Sequence, residues 1–227
     1  MTLEAVLFDL DGTLIDTAPD FFRVLNRMLE EDGRTPLSYS DVRKTVSDGA
    51  RALVKLAYGV DQGEAGFDEL RQRLLDLYLN NIAIDSQLFA GLDDMLNWML
   101  EHNLPMAIVT NKPRLYAEAL LNQLMFNGAP LAQVTASLVC PDDVTHRKPH
   151  PEPLFKACDE MKVDAKRCIY VGDHARDIES GRAAGMTTIA AAFGYIHSAE
   201  EVEHWQADWR VDNSQDLLPL LKTLGQL

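Results

Sequence analysis

The segment Asp9-Leu10-Asp11-Gly12-Thr13 puts two carboxylates two residues apart, directly after the apolar run Ala5-Val6-Leu7-Phe8. Acids at that spacing repel, and in an extended segment they point to opposite faces. A bend at Gly12 lets both reach one site. A third acid, Asp173, follows Cys168-Ile169-Tyr170-Val171 and Gly172, and Thr110-Asn111-Lys112 follows Pro105-Met106-Ala107-Ile108-Val109. Converging acids need a cation, and an all-oxygen site suits Mg²⁺. The bland alternative is an acidic turn that caps the next helix. At average residue frequencies a chance match to D-x-D-G-T in this chain is roughly 0.3%, so the chemical reading is preferred. Cys140, Cys158 and Cys168 form no CxxC pair and are expected to be reduced, buried thiols. A zinc site built from Cys140, His146 and His150 lacks the usual paired ligand spacing.

These polar groups require elements that bring them together. The runs Ala5–Phe8, Pro105–Val109, Cys168–Val171 and Thr187–Phe193 are short and apolar on both faces, as in strands buried in a parallel sheet. Helical spacing over Leu92–Leu100, Tyr116–Leu124, Pro151–Met161 and Asp177–Ala184 separates them. Strands alternating with helices predict an α/β fold with a doubly wound, Rossmann-like parallel sheet, whose ligands bind at the carboxyl ends of the strands. Those ends carry Asp9, Thr110 and Asp173. Between Thr17 and about Phe89 there is no convincing strand. Apolar spacing over Phe21–Leu29, Val42–Val54 and Leu70–Leu79 predicts three or more helices, with turns at Gly33–Ser40 and Gly59–Gly66. The expected organisation is a core of residues 1–16 and 91–227 with a small α-helical cap, residues 17–90, inserted after the first strand. Trp98, Trp205, Trp209 and Tyr195 are read as packing groups rather than a substrate platform.

The chain has 227 residues, with 21 basic and 35 acidic side chains, a formal net charge of −14. Such acidity argues against nucleic-acid or anionic-membrane partners, which need a basic surface. No apolar run approaches a membrane span, and the start has no basic segment before a signal-like run, so a cytoplasmic protein is expected.

Asp9-Leu10-Asp11-Gly12-Thr13-Leu14 resembles motif I of the haloacid dehalogenase-like phosphatases. Thr110-Asn111-Lys112 is similar to motif II, Lys148-Pro149-His150-Pro151 to motif III, and Gly172-Asp173-His174-Ala175-Arg176-Asp177 to motif IV. All four stand in the family's order, so the resemblance covers nearly the whole chain. It implies hydrolysis of a phosphate monoester through an aspartyl phosphate. Asp9 would be the nucleophile and Asp11 the general acid and base. Mg²⁺ would be held by the side chains of Asp9 and Asp173 and the main-chain carbonyl of Asp11. Thr110 and Lys148 would bind the phosphoryl oxygens with Asn111 assisting, and Asp177 would orient Lys148 or a metal-bound water. Each has a plainer alternative: Thr110 a strand end, Asn111 a turn residue, Asp177 a helix N-terminal acid, His174 a surface histidine.

The insert resembles the family's helical cap, with hinges near Asp16–Pro19 and Ser86–Gly91, where Ala90-Gly91 stands for the more usual Pro-Gly. In the cap, Ser47-Asp48-Gly49-Ala50-Arg51 offers Arg51 as partner for a substrate carboxylate, or as a solvated helix arginine. Within the superfamily the chain looks most like the phosphoglycolate phosphatase group. Gly49–Val54, Val139–Thr145, Asp177–Gly185 and Gly194-Tyr195-Ile196-His197 are similar to a bacterial branch acting on N-acetylmuramic acid 6-phosphate. Both substrates are small phosphate esters that carry a carboxylate. The chain is expected to be a monomer or homodimer. A β-phosphoglucomutase-like phosphotransferase keeps all four motifs and is the alternative. A haloacid dehalogenase would not need Asp11 and Asp173, and a non-enzymatic binding module would have lost at least one motif.

Overall fold

The structure is a computed structural model and describes residues 3–225. Six parallel strands form the central sheet: β1 (Ala5–Phe8), β2 (Met106–Val109), β3 (Thr135–Val139), β4 (Cys168–Gly172), β5 (Thr187–Ala191) and β6 (Trp209–Val211). Their order is β6-β5-β4-β1-β2-β3. From β1 the chain builds outward through β2 and β3, then crosses back to start β4 on the other side of β1. The crevice between the ends of β1 and β4 is therefore the topological switch point, where open α/β sheets bind ligands. Register places Phe8 beside Val171 and Ile108, so the residues after all three strands emerge at one edge.

β1 pairs on both sides and is covered on both faces. Val6 and Phe8 pack into one apolar cluster, and Ala5 and Leu7 into the other. This two-residue alternation between two dry faces explains why the run carries no polar residue.

Two edge strands correct the sequence reading. Thr135–Val139 and Trp209–Val211 were not anticipated. Edge strands are buried on one face only, so they carry polar residues and lack the continuous apolar signature. Trp209 lies on such an edge and is 44% exposed, so it is not a packing group, whereas Trp205 and Tyr195 are buried. The strand expected over Thr187–Phe193 ends at Ala191.

Helices α1 (Ala18–Glu31), α2 (Tyr39–Thr45), α3 (Gly49–Tyr58) and α4 (Phe67–Asn80) follow β1. Phe21, Val24, Leu25, Met28 and Leu29 form the buried stripe of α1. The single helical stretch expected over Val42–Val54 is split by a 3₁₀ turn at Val46–Asp48 and by Gly49, whose φ is 83°. The two connections to the sheet pair with each other: Ile15–Asp16 lies antiparallel to Gln87–Leu88, a short strand within the stretch read as strandless. The Tyr195 hydroxyl donates to Asp16 Oδ1 at 2.6 Å and accepts from the main-chain N–H groups of Thr17 and Ala18 at 2.6 and 2.8 Å. It thus satisfies donors that the start of α1 would leave unpaired. Asp20, fully buried, accepts from Ser86 Oγ, the main chain of Asp85 and Arg23. The remaining helices are α5 (Leu92–Glu101), α6 (Arg114–Gln123), α7 (Glu152–Met161) and α8 (Ala175–Ala184), followed by two short ones at Ala199–His204 and Leu217–Leu224. No helix among the described residues is long and apolar enough to cross a membrane.

Candidate active site

Asp9 is the first residue past β1, and its N–H bonds to the carbonyl of Val171 at 2.9 Å, beside the end of β4. Asp173 follows β4. Oxygens of Asp9, Asp173 and Asp177 all lie within 4.8 Å of one another. Gly12, at φ 81°, is required by this approach: a Cβ there would stand 2.1 Å from Asp173 Oδ2. A Cβ on Gly194 would stand 2.3 Å from Asp173 Cβ, so two glycines clamp this acid from both sides.

Lys148 is the counter-charge. Its Nζ is 2.8 Å from Asp9 Oδ1 and 2.7 Å from Asp177 Oδ1. It also donates to the Val109 carbonyl at 2.9 Å and to the Tyr170 hydroxyl at 2.8 Å. Asp177 sits on the first turn of α8. There it also accepts the His174 N–H at 3.1 Å, closing a capping box. Asp177 thus both opens α8 and pairs with the Lys148 ammonium. Tyr170 was missed by sequence reasoning because it lies inside a buried strand. Its Lys148 contact depends on β4 lying beside β1.

One ammonium does not neutralise three carboxylates. Burial, together with Asp9 and Asp177, pushes the Asp173 carboxyl up to about 8. Burial also raises Asp9, against the pull of Lys148. Asp9 Oδ1 is buried, and the Lys148 ammonium at 2.8 Å is its one partner among the described residues. Three crowded carboxylates sharing one ammonium leave excess negative charge on oxygen donors, the donor set of a hard divalent cation, and the cluster fits one. Asp11 lies outside this cluster. Its Oδ1 accepts from Thr17 Oγ1 at 2.6 Å and from Lys112 Nζ at 2.9 Å.

Thr110 is nearly buried at the end of β2, and its Oγ1 accepts the Lys112 N–H at 3.1 Å. Asn111 Nδ2 donates to the Lys148 carbonyl at 3.1 Å, while its Oδ1 is buried without a partner. Asp9, Asp11, Thr110, Asn111 and Lys148 all line one cavity of about 630 Å³ under the cap helices, within the size range of small-molecule sites.

The segment Ser47-Asp48 lines the cavity and also contacts residues at the strand ends. Ser47 Oγ donates to Asp173 Oδ2 at 3.1 Å, and Arg176 donates to the Ser47 carbonyl at 3.0 Å. Asp48 lies 3.5–3.7 Å from His197, Arg176 and His174. Arg43 donates to the carbonyls of Phe193 and Gly194 at 2.8 and 2.9 Å. Residues 43–48 are thus seated against Asp173, Arg176 and the 193–194 segment. His174, read as either a substrate contact or a surface histidine, lines the cavity and caps α8. Arg51 also lines the cavity, but its Nε is engaged by Asp61 at 2.6 Å. Cys140 is buried and does not join His146 and His150, which gather on the surface with Glu152. Glu152 there accepts the N–H groups of Thr145 and His146, a local loop contact.

Comparison with known proteins gives consistent relatives. A family model described as haloacid dehalogenase-like hydrolase matches residues 6–191. An N-acetylmuramic acid 6-phosphate phosphatase of Pseudomonas aeruginosa is 42% identical over 97% of this chain and 96% of its own. A phosphoglycolate phosphatase of Xanthomonas campestris is 39% identical, covering 94% of each chain. Among solved structures, a "predicted phosphoglycolate phosphatase" from Haemophilus somnus superposes with a TM-score of 0.82 at 22% identity, over 97% of this chain and 98% of that one, a likeness of fold.

Proposed function

The chain belongs to the haloacid dehalogenase-like hydrolase family, and on that premise we propose that it hydrolyses a small, carboxylate-bearing phosphate monoester with Mg²⁺ as cofactor, through an aspartyl phosphate on Asp9. The observation that carries this is the switch-point cluster: Asp9, Asp173 and Asp177 crowded within 4.8 Å around the single Lys148 ammonium, with Asp9 lining the cavity.

Asp9 and Asp173 side chains and the Asp11 carbonyl would hold Mg²⁺. The bound ion would screen the repulsion between the Asp9 carboxylate and the phosphoryl group. In the first step an Asp9 oxygen forms a bond to phosphorus as the ester P–O bond breaks. The electron pair leaves on the ester oxygen, and Asp11 supplies its proton. In the second step Asp11 takes a proton from water as that water attacks phosphorus, and Asp9 departs as carboxylate. Thr110 and Lys148 hold phosphoryl oxygens, with Asn111 supporting Lys148 through its carbonyl, and Asp177 keeps the Lys148 ammonium aimed at Asp9. The seated cap excludes water from this chemistry.

Two features support the substrate class. A cavity of about 630 Å³ leaves room beyond the phosphoryl group for a body as large as a sugar ring. The same cavity is rimmed by Arg51, Arg71 and Arg147, cations suited to a carboxylate. The Pseudomonas and Xanthomonas relatives are named for N-acetylmuramic acid 6-phosphate and phosphoglycolate, which both fit this description. The test is a panel of phosphate esters including those two, assayed for kcat/KM with Mg²⁺, on the wild type and on Asp9→Asn. Phosphate release by the wild type and its loss by about 10³-fold or more in the variant are expected, the scale of losing a nucleophile. Full activity in Asp9→Asn with metal present rules the mechanism out.

A further inference from the structure

Lys112 is nearly buried, and its ammonium reaches across the boundary between sheet and cap. Nζ donates to Asp11 Oδ1 at 2.9 Å and to the Tyr78 hydroxyl at 3.0 Å. Tyr78 belongs to α4 of the cap and is stacked on Phe21 of α1, with centroids 4.0 Å apart and planes 6° from parallel. Nζ lies 4.6 Å from the Tyr78 centroid and 5.1 Å from that of Phe21, so the stacked pair also holds the cation by its rings. Asp11 Oδ1 takes a second hydrogen bond, from Thr17 Oγ1, at the start of α1. Both bonds fall on the same oxygen, and among the described residues Oδ2 accepts none. Asp11 lines the cavity, which leaves Oδ2 as its reactive oxygen.

We propose that Lys112 is a positioning residue that orients Asp11 for proton transfer, and that it does so when the cap seats Tyr78 against it. This rests on the phosphatase reading above. The step it serves is donation of the Asp11 proton to the ester oxygen as the P–O bond breaks and its electron pair moves to that oxygen. With the cap lifted, Tyr78 leaves, the ring cage around Nζ opens, and Asp11 loses its fixed direction. Proton transfer is thereby confined to the closed, water-poor site, because a proton donor must lie within hydrogen-bond reach of its acceptor. A lysine three residues past the strand end cannot be given this role from sequence, since its partners lie on residues 11 and 78.

The experiment separates proton donation from everything else by leaving group. An alkyl phosphate such as a sugar phosphate needs a proton on its departing oxygen, whereas p-nitrophenyl phosphate expels a stable phenolate without one. Lys112→Met is expected to lower kcat/KM for the alkyl ester by about 100-fold, the scale of a general acid's contribution. Its loss on the p-nitrophenyl ester is expected to be at least tenfold smaller. Tyr78→Phe keeps the ring stack and removes one hydroxyl. It should show the same bias, at least twofold, and it carries the test alone if Lys112→Met does not fold. Equal losses on the two esters, or no loss on either, overturn the proposal. A wild-type protein that hydrolyses neither ester instead overturns the phosphatase reading.

Discussion

Lys148→Met tests whether the acid cluster is held together by this one ammonium. The side chain is almost wholly buried and meets Asp9, Asp177, the Val109 carbonyl and the Tyr170 hydroxyl, all within 2.9 Å. Methionine fills similar space but supplies no donor. Asp9, Asp173 and Asp177 then face one another within 4.8 Å with no positive charge between them. Removing one partner of a buried ion pair costs about 3–5 kcal/mol, because the other is left desolvated and unpaired. At about 2–4 °C per kcal/mol for a chain of this size, the melting temperature should fall by about 6–20 °C. The assay is thermal unfolding followed by circular dichroism at neutral pH with divalent ions chelated. Adding Asp177→Asn to Lys148→Met removes one of the stranded charges and should recover part of the loss, since contacting residues are non-additive. Saturating Mg²⁺ should also narrow the gap. A single variant melting within about 2 °C of the wild type would refute the assignment of Lys148 as the cluster's counter-charge.

Two further outcomes follow from the same geometry. The Asp173 carboxyl, raised from 3.8 to about 8, keeps a proton in the cation-free fold that the unfolded chain has already released. The stability of that fold therefore falls as pH rises through this window. Mg²⁺ must displace the proton, so its stabilisation of the fold, read as a melting-temperature shift, should be larger at pH 8 than at pH 6; an equal or smaller shift at pH 8 contradicts the cluster as its site. At the cavity rim, Arg51 is engaged by Asp61, whereas the side chains of Arg71 and Arg147 make no hydrogen bond or ion pair among the described residues. Arg71→Ala or Arg147→Ala should raise KM for carboxylate-bearing esters about tenfold relative to neutral ones, the value of one charged hydrogen bond, and Arg51→Ala should change it less. Identical ester rankings in all three variants would remove the rim arginines as selectors.

The central strands and the residues at their ends were legible in the sequence. A strand paired and covered on both sides can carry only apolar side chains, so Ala5–Phe8 and Cys168–Gly172 stand out, and Asp9 and Asp173 mark where the run stops. The edge strands Thr135–Val139 and Trp209–Val211 were not legible, since one-sided burial leaves no continuous apolar run. Arg51 illustrates a second limit. Its place near the start of a cap helix is visible in the chain, but its pairing with Asp61 depends on how the turn after α3 folds back.

What the sequence determined by itself was the chemistry available: which carboxylates, which ammonium and which glycine stand at the strand ends, because these depend on residue type and local periodicity. What the tertiary structure decided was where each group is placed and what it meets. The order β4-β1-β2 sets Asp173, Asp9 and Thr110 side by side. The cap brings Tyr78 to Lys112 and Ser47 to Asp173. Burial then raises the Asp173 carboxyl and makes the Lys148 contacts costly to break. Charge and hydrogen bonding act through distance and solvent exclusion, and neither quantity exists in a linear chain until strands some 160 residues apart are paired.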